Sequence, residues 1–155
     1  MRAKLIPATG LGWFSMALAL LACGQAHALA DDLKLQAFLL WGTNEVKPPE
    51  GKAYQPVDIE IRQKLKDLPL KWTNWFEVNR KDFVTPQGTI KEVSMSAKCQ
   101  LHVRKTIGPE LEVSLIGKGK EVMKRKQSLP KGEMLVLGGN APNATAWLVV
   151  LKRIQ

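Results

Sequence analysis

Apolar and polar residues alternate along three consecutive segments in the middle of the chain: Thr89–Met95, Lys98–Ile107 and Glu110–Ile116. A period of two over five to ten residues is typical of a strand that buries one face. Short breaks at Ser96-Ala97 and Gly108-Pro109 separate the segments, and turn residues of this kind favour direct connections between neighbouring strands. The pattern predicts an antiparallel sheet with one side in the core.

The segments on either side extend this prediction. Leu33–Trp41 alternates at first and then becomes apolar on both faces, so we expect a second layer to cover its end. Asp58–Leu68 carries Ile61, Leu65 and Leu68 at helical spacing, which predicts a short helix that packs on the sheet. Pro69 ends that helix.

Three further strands are predicted, at Lys71–Val78, Met134–Leu137 and Ala146–Leu151. The last two are apolar without alternation, which indicates either cover on both faces or a face kept for a partner. We therefore predict an all-β, mainly antiparallel fold: a β-sandwich or partly open barrel of seven or eight strands with one short helix inserted after the first strand. One domain over residues 31–155 accommodates it.

Two tryptophans in the strand Lys71–Val78 cannot enter the same layer. Trp72 and Trp75 are three apart, so an extended chain points them to opposite faces. Trp75 then either lies beneath the helix or is exposed as an aromatic contact residue for a partner.

Residues 1–30 have the features of a secretory signal peptide. Arg2 and Lys4 precede a short apolar segment, and small residues before Asp31 predict cleavage after Ala30. An alternative stays open, because Leu20-Leu21-Ala22-Cys23 resembles the lipobox of bacterial lipoproteins, in which the cysteine is lipidated. We expect a periplasmic or extracellular protein in the first case and a membrane-anchored lipoprotein in the second.

The chain is basic, with a formal net charge of +9, and a dense run of cations follows the third alternating strand. A dock for an anionic protein, polysaccharide or lipid headgroup is one interpretation of this run, and lysines that protect an exposed sheet edge are the other. The candidate partner-binding residues are Lys118, Lys120, Lys124, Arg125, Lys126 and Lys131.

Other chemistries find little support in the residues. Cys99 and His102 fall on opposite strand faces, and His102 is the one histidine after residue 30, so we predict no metal site and no cofactor. No set of catalytic residues converges, and we expect no enzyme activity. Export makes nucleic acid an improbable partner.

The end of the chain resembles small exported bacterial β-rich proteins of unknown function. The residues that carry this resemblance are Leu129–Gly132, Leu135–Gly139 and Trp147–Leu151. It implies an exported β domain and brings no activity or binding residues with it.

The sequence thus favours an exported envelope protein that acts as a non-enzymatic interaction module and docks an anionic partner through its basic strand region. One alternative is a structural subunit of an envelope assembly that uses the apolar C-terminal strands for contact. A third is a cell-wall or carbohydrate hydrolase, which would need two acids close together. Glu110 and Glu112 share one strand face, but beside lysines at a strand end they are typical of surface charge.

Overall fold

The structure, a computed structural model, describes residues 32–141 and 145–155. Within those residues one helix, α1, spans Ile59–Lys66. The strands are β1 (Leu33–Thr43), β2 (Gln55–Pro56), β3 (Asn74–Thr85), β4 (Ile90–Ser96), β5 (Cys99–Lys105), β6 (Glu110–Gly117), β7 (Lys120–Ser128), β8 (Met134–Asn140) and β9 (Ala146–Arg153). The prediction of a mainly antiparallel sandwich with one helix near its start is confirmed.

Two sheets make up the sandwich. One has five strands in the order β2-β3-β1-β9-β8, and the other has four in the order β4-β5-β6-β7. Strand β1 lies at the centre of the first sheet, where it pairs antiparallel with β3 and β9 along most of its length. The four-stranded sheet is a meander, since each of its strands pairs with the next one in sequence.

The main core lies between the two sheets and is built from the inward positions of the alternating strands. Hydrophobic side chains at every second residue meet across this interface, as the period of two requires. Its buried members are Leu33, Leu35, Ala37, Leu39, Val93, Met95, Leu101, Val103, Leu111, Val113, Leu115, Leu129, Leu135, Leu137, Val149 and Leu151.

A second core lies on the other face of the five-stranded sheet, beneath α1. Ile61 and Leu65 from the helix pack against Phe38 and Leu40 of β1, which explains why β1 is apolar on both faces near its end. Trp75 packs in this layer as well, so of the two positions open to it, the structure has the one beneath the helix.

The prediction that Trp72 and Trp75 point to opposite faces of one strand is wrong. Strand β3 begins at Asn74, so Trp72 lies before it and does not follow the alternation of an extended chain. The two rings meet edge to face, with their centroids 6.2 Å apart.

An ion-pair network fixes the start of α1 against β3. Asp58 occupies the N-cap position but makes no side-chain cap hydrogen bond. Its carboxylate instead accepts a hydrogen bond from Arg80 at 2.9 Å, and Arg80 also donates to Glu77 at 2.7 Å. The guanidinium lies 4.7 Å from the centroid of the Phe38 ring. The hydrogen bond to Glu77 raises the pKa of Arg80, with the charge of Asp58 adding to the effect.

The structure differs from the predicted elements at β3. That strand runs from Asn74 to Thr85, whereas the sequence pattern placed it at Lys71–Val78, so it begins and ends later than predicted. Polar residues continue the ladder with β1 beyond a bulge at Val78, and the Gln36 side chain donates a hydrogen bond to Asp82 at 2.7 Å. Cross-strand polar pairs of this kind replace the apolar alternation that identifies a half-buried strand.

Candidate functional site

The basic run after β6 folds as a tight hairpin. Lys118 and Gly119 form the two-residue turn between β6 and β7, with φ angles of +50° and +76°. Positive φ at both central positions is the geometry that matches the twist of a two-residue hairpin. The run therefore reverses direction, and its two ends lie side by side on neighbouring strands.

The predicted binding residues do not form one patch. Lys118 and Lys120 lie at the hairpin end, and Arg125 sits on the exposed edge strand β7. Lys131 follows β7 in the turn that leads to β8, at the opposite end of the sandwich. Only Lys124 and Lys126 share the outer face of the four-stranded sheet.

Acidic side chains partly neutralise that outer face. Lys124 Nζ lies 3.2 Å from Glu112 Oε1, and Lys126 Nζ lies 3.1 Å from Glu110 Oε2. Arg104 donates to the same Glu112 oxygen at 2.8 Å. The hydrogen bond from Lys124 and the nearby charge of Arg104 lower the pKa of Glu112. This face is a ladder of paired opposite charges, which attracts an anionic partner less than unpaired lysines would.

We expect Glu112→Gln to reduce stability at neutral pH and to have no effect at strongly acidic pH. A carboxylate whose pKa is lower in the folded than in the unfolded chain stabilises the fold above its unfolded pKa, about 4.3. That contribution disappears as pH falls through the lower, folded pKa. Denaturation midpoints of wild type and variant between pH 2 and pH 7 should converge at the acid end.

The matched control for this measurement is Glu50→Gln, at an exposed position in the loop between β1 and β2. Its midpoint should follow the wild type at every pH. A constant offset between Glu112→Gln and wild type over the whole range would show that the ion pairs do not stabilise the fold.

A cavity opens between the two sheets, at the end where Gly117 and Cys99 lie. We call it the inter-sheet cleft. Its volume is about 680 Å³, within the range of roughly 300–1,000 Å³ that small-ligand sites occupy. It is lined by Leu39, Tyr54, Val78, Ser96, Lys98, Cys99, Leu115, Ile116, Gly117, Lys118, Val122, Ala141, Trp147 and Val149.

The inter-sheet cleft is the point where the main core opens to solvent. Its floor is formed by Leu39, Leu115 and Val149, which belong to the core cluster between the sheets. Beyond them Trp147 forms part of the wall and is 39% exposed. Tyr54, from the loop before β2, also lines the cleft, and the centroid of its ring lies 6.0 Å from that of Trp41. The cleft thus has an aliphatic floor and an aromatic wall.

Two lysines border the same cleft on the side of the four-stranded sheet. Lys98 and Lys118 occupy neighbouring turns, and the Lys118 backbone N–H donates to the Lys98 carbonyl at 2.9 Å. Both side chains are exposed, and no aspartate or glutamate is among the residues that line the cleft. The mouth is therefore cationic on one side and aromatic on the other.

Cys99 also lines the inter-sheet cleft, but its thiol is a poor nucleophile there. The side chain is half-buried and packs against the main core. Burial raises the pKa of the thiol, so little of the reactive thiolate is present at neutral pH. His102 lies on the outer face of the sheet, 3.8 Å from Glu92, and cannot serve as its base. Across residues 32–141 and 145–155 no three metal-ligating side chains come together.

No family model, curated protein or solved structure matches the chain. The similarity of the last third of the chain to small exported proteins therefore stays an expectation. In the part of the chain that the structure describes, no helix is both long and apolar enough to span a bilayer. The signal peptide, its cleavage after Ala30 and the lipidation of Cys23 concern residues outside the described ranges.

Sequence reasoning identified Lys118 but not the cleft it borders. Tyr54 lies outside every predicted helix and strand, and Trp147 lies in a predicted strand whose apolar run left two interpretations open, full burial or a face for a partner. Lys98 is the first residue of the predicted strand Lys98–Ile107, whereas the structure has it in the turn between β4 and β5. One signal was present: the loop between β1 and β2 is long for a connection, and loops of that length are often functional.

Proposed function

We propose that this chain is an exported, non-enzymatic binding module that takes an anionic ligand group in the inter-sheet cleft. The observation that carries the proposal is an apolar cavity of about 680 Å³ whose mouth bears Lys98 and Lys118 and whose lining includes no acid. An apolar site with a few placed charges is the usual design of a ligand pocket.

The placement of the other lysines supports the cleft over the outer sheet face. Lys124 and Lys126 have carboxylates within 3.2 Å, so an incoming anion would compete with partners already in place. Lys98 and Lys118 have no such neighbours among the residues of the cleft. Attraction between an anion and these two ammonium groups is therefore less offset by local acids.

Binding rather than catalysis fits the same surroundings. Cys99 is the one nucleophile in the floor of the cleft, and the raised pKa of its thiol disfavours attack. The acids that a hydrolase would need, Glu110 and Glu112, lie on the outer face of the sheet and pair with lysines there.

A structural role through the apolar C-terminal strands has less support. Leu135, Leu137, Val149 and Leu151 of β8 and β9 are buried in the main core, and Leu148 and Val150 are buried beneath the helix. Their apolar faces are used inside the fold, which leaves Trp147 as the exposed large hydrophobic residue of these two strands.

The experiment is a fluorescence titration with 8-anilinonaphthalene-1-sulfonate, an aromatic anion that becomes bright in apolar sites. The folded protein should bind one probe per chain. Val122→Glu places a negative charge, the same sign as that of the probe, beside the cleft. It should weaken the binding of the probe several-fold.

The matched control is Ile107→Glu, which makes the same charge change at an exposed position 92% accessible to solvent at the far end of β5 and β6. It should bind the probe as the wild type does. No saturable binding to the folded protein, or equal loss in both variants, would refute the cleft as the binding site.

A further inference from the structure

The floor of the inter-sheet cleft offers no hydrogen-bonding side chain. Leu39, Val78, Leu115 and Val149 are aliphatic, and the Cys99 thiol is only a weak donor. The strong polar groups of the cleft, on Tyr54, Ser96, Lys98 and Lys118, belong to turns, strand ends and the loop before β2. A ligand that enters must therefore be apolar at its inner end and polar at its outer end.

This division of the lining discriminates among anionic ligands. A sugar or a peptide segment would bring hydroxyl or amide groups to the aliphatic floor, and each polar group buried without a partner weakens binding. A hydrocarbon chain has no such groups and gains from every methylene removed from water. The two ammonium groups at the mouth then suit a single anionic head.

We propose that the ligand of the inter-sheet cleft is a free fatty-acid-type carboxylate, with its hydrocarbon chain on the floor formed by Leu39, Leu115 and Val149 and its carboxylate between Lys98 and Lys118. This assignment rests on the proposed function of the cleft as an anion-binding site and specifies the chemical class of the ligand. Trp147 and Tyr54 cover the first methylenes at the mouth.

A series of saturated carboxylates tests the assignment. Octanoate, decanoate and dodecanoate, each kept below its micelle concentration, are titrated against the protein loaded with 8-anilinonaphthalene-1-sulfonate. Because a buried methylene contributes about 0.8 kcal/mol, each methylene that enters the cleft should lower Kd about four-fold. Dodecanol, which has the same chain without the charge, should displace the probe at least ten-fold less well than dodecanoate.

A pair of double variants locates the carboxylate. Lys98→Gln with Lys118→Gln removes both cations at the mouth and should raise the Kd for dodecanoate about ten-fold while leaving the dependence on chain length unchanged. Lys124→Gln with Lys126→Gln removes the same charge from the outer sheet face and should leave the Kd as in wild type. Thermal denaturation followed by circular dichroism confirms that both double variants fold.

The outcomes separate this inference from the proposed function. If the sulfonate probe binds at the cleft but dodecanoate fails to displace it, or Kd does not depend on chain length, the fatty-acid assignment is wrong and the binding module stands. If the probe itself does not bind, both are wrong. Equal weakening in the two double variants would show that general surface charge, and not the mouth of the cleft, attracts the carboxylate.

Discussion

Phe38→Ala is expected to destabilise the fold by about 3–5 kcal/mol, since truncating a buried phenylalanine removes transfer free energy and leaves a cavity. Phe38 is 1% exposed and is among the largest fully buried side chains. It lies where β1 meets the helix layer, with the Arg80 guanidinium over its ring. The free energy of unfolding of a small domain is about 5–15 kcal/mol, so this loss is a large share of the stability.

Urea denaturation followed by circular dichroism measures the change in unfolding free energy. The control is Ile107→Ala, at a side chain 92% exposed, which should stay within about 0.5 kcal/mol of wild type. A loss below about 1 kcal/mol for Phe38→Ala would mean that α1 packs loosely on the sheet and that β1 does not need its second core.

The sequence pattern predicted this second core for a physical reason. Alternation along Leu33–Trp41 stops at Phe38, and an apolar residue on both faces of a strand requires a cover on each side. The helix with Ile61 and Leu65 on one stripe is the only segment of the described chain with the right spacing to provide it. The apolar stripe of the helix and the two-faced apolar end of β1 both require the same layer, so the prediction succeeded here.

The second half of β3 shows where such reasoning fails. Residues 79–82 are polar in sequence, yet they pair with β1 in the middle of a sheet. Arg80 forms ion pairs with Glu77 of the same strand and with Asp58 at the start of the helix. Glu77 is a local partner, but Asp58 lies 22 residues away in sequence, so the link from β3 to the start of the helix exists only in the tertiary fold.

The candidate site was harder to predict than the fold. Pairing of Lys124 with Glu112 and of Lys126 with Glu110 is diagonal across β6 and β7. It depends on a register that a bulge beside Leu115 sets, and one residue of slip would change every partner. The cleft depends on still more distant elements, since its lining comes from both sheets and from the loop before β2.

The lysines of the cleft, Lys98 and Lys118, differ from those of the outer face, Lys124 and Lys126, in the charges around them. Both carry the same charge, but the lysines of the outer face follow a strand that offers Glu110 and Glu112 at alternate positions, and those of the cleft border an apolar strand end. A lysine that is already paired attracts an incoming anion less than an unpaired one, because the carboxylate beside it offsets its charge. The contrast between the pairs is what the double variants of the cleft and of the outer face measure.

Gly138→Ala is expected to cost about 3 kcal/mol or more and to disturb the inter-sheet cleft at the same time. Gly138 has a φ of +143°, a conformation that side chains rarely adopt, and strain of this kind costs about 1–3 kcal/mol. A Cβ there would lie 2.3 Å from the Trp147 backbone oxygen and 3.0 Å from the Leu148 Cα. Overlap with backbone atoms adds a further ~1–3 kcal/mol, because β9 must move to relieve it.

The consequence reaches the cleft because Trp147 forms part of its wall and the following inward residue, Val149, forms part of its floor. Gly132→Ala is the matched control: Gly132 has a φ of +82°, but nothing lies within 4 Å of its Cβ position, so it reports the backbone strain alone. Urea denaturation should place Gly138→Ala below Gly132→Ala in stability, and titration of the folded fraction with 8-anilinonaphthalene-1-sulfonate should show weaker binding only for Gly138→Ala. Equal losses in both measurements would mean that β9 yields to the added methyl group and that the wall of the cleft is not held in place by this close approach.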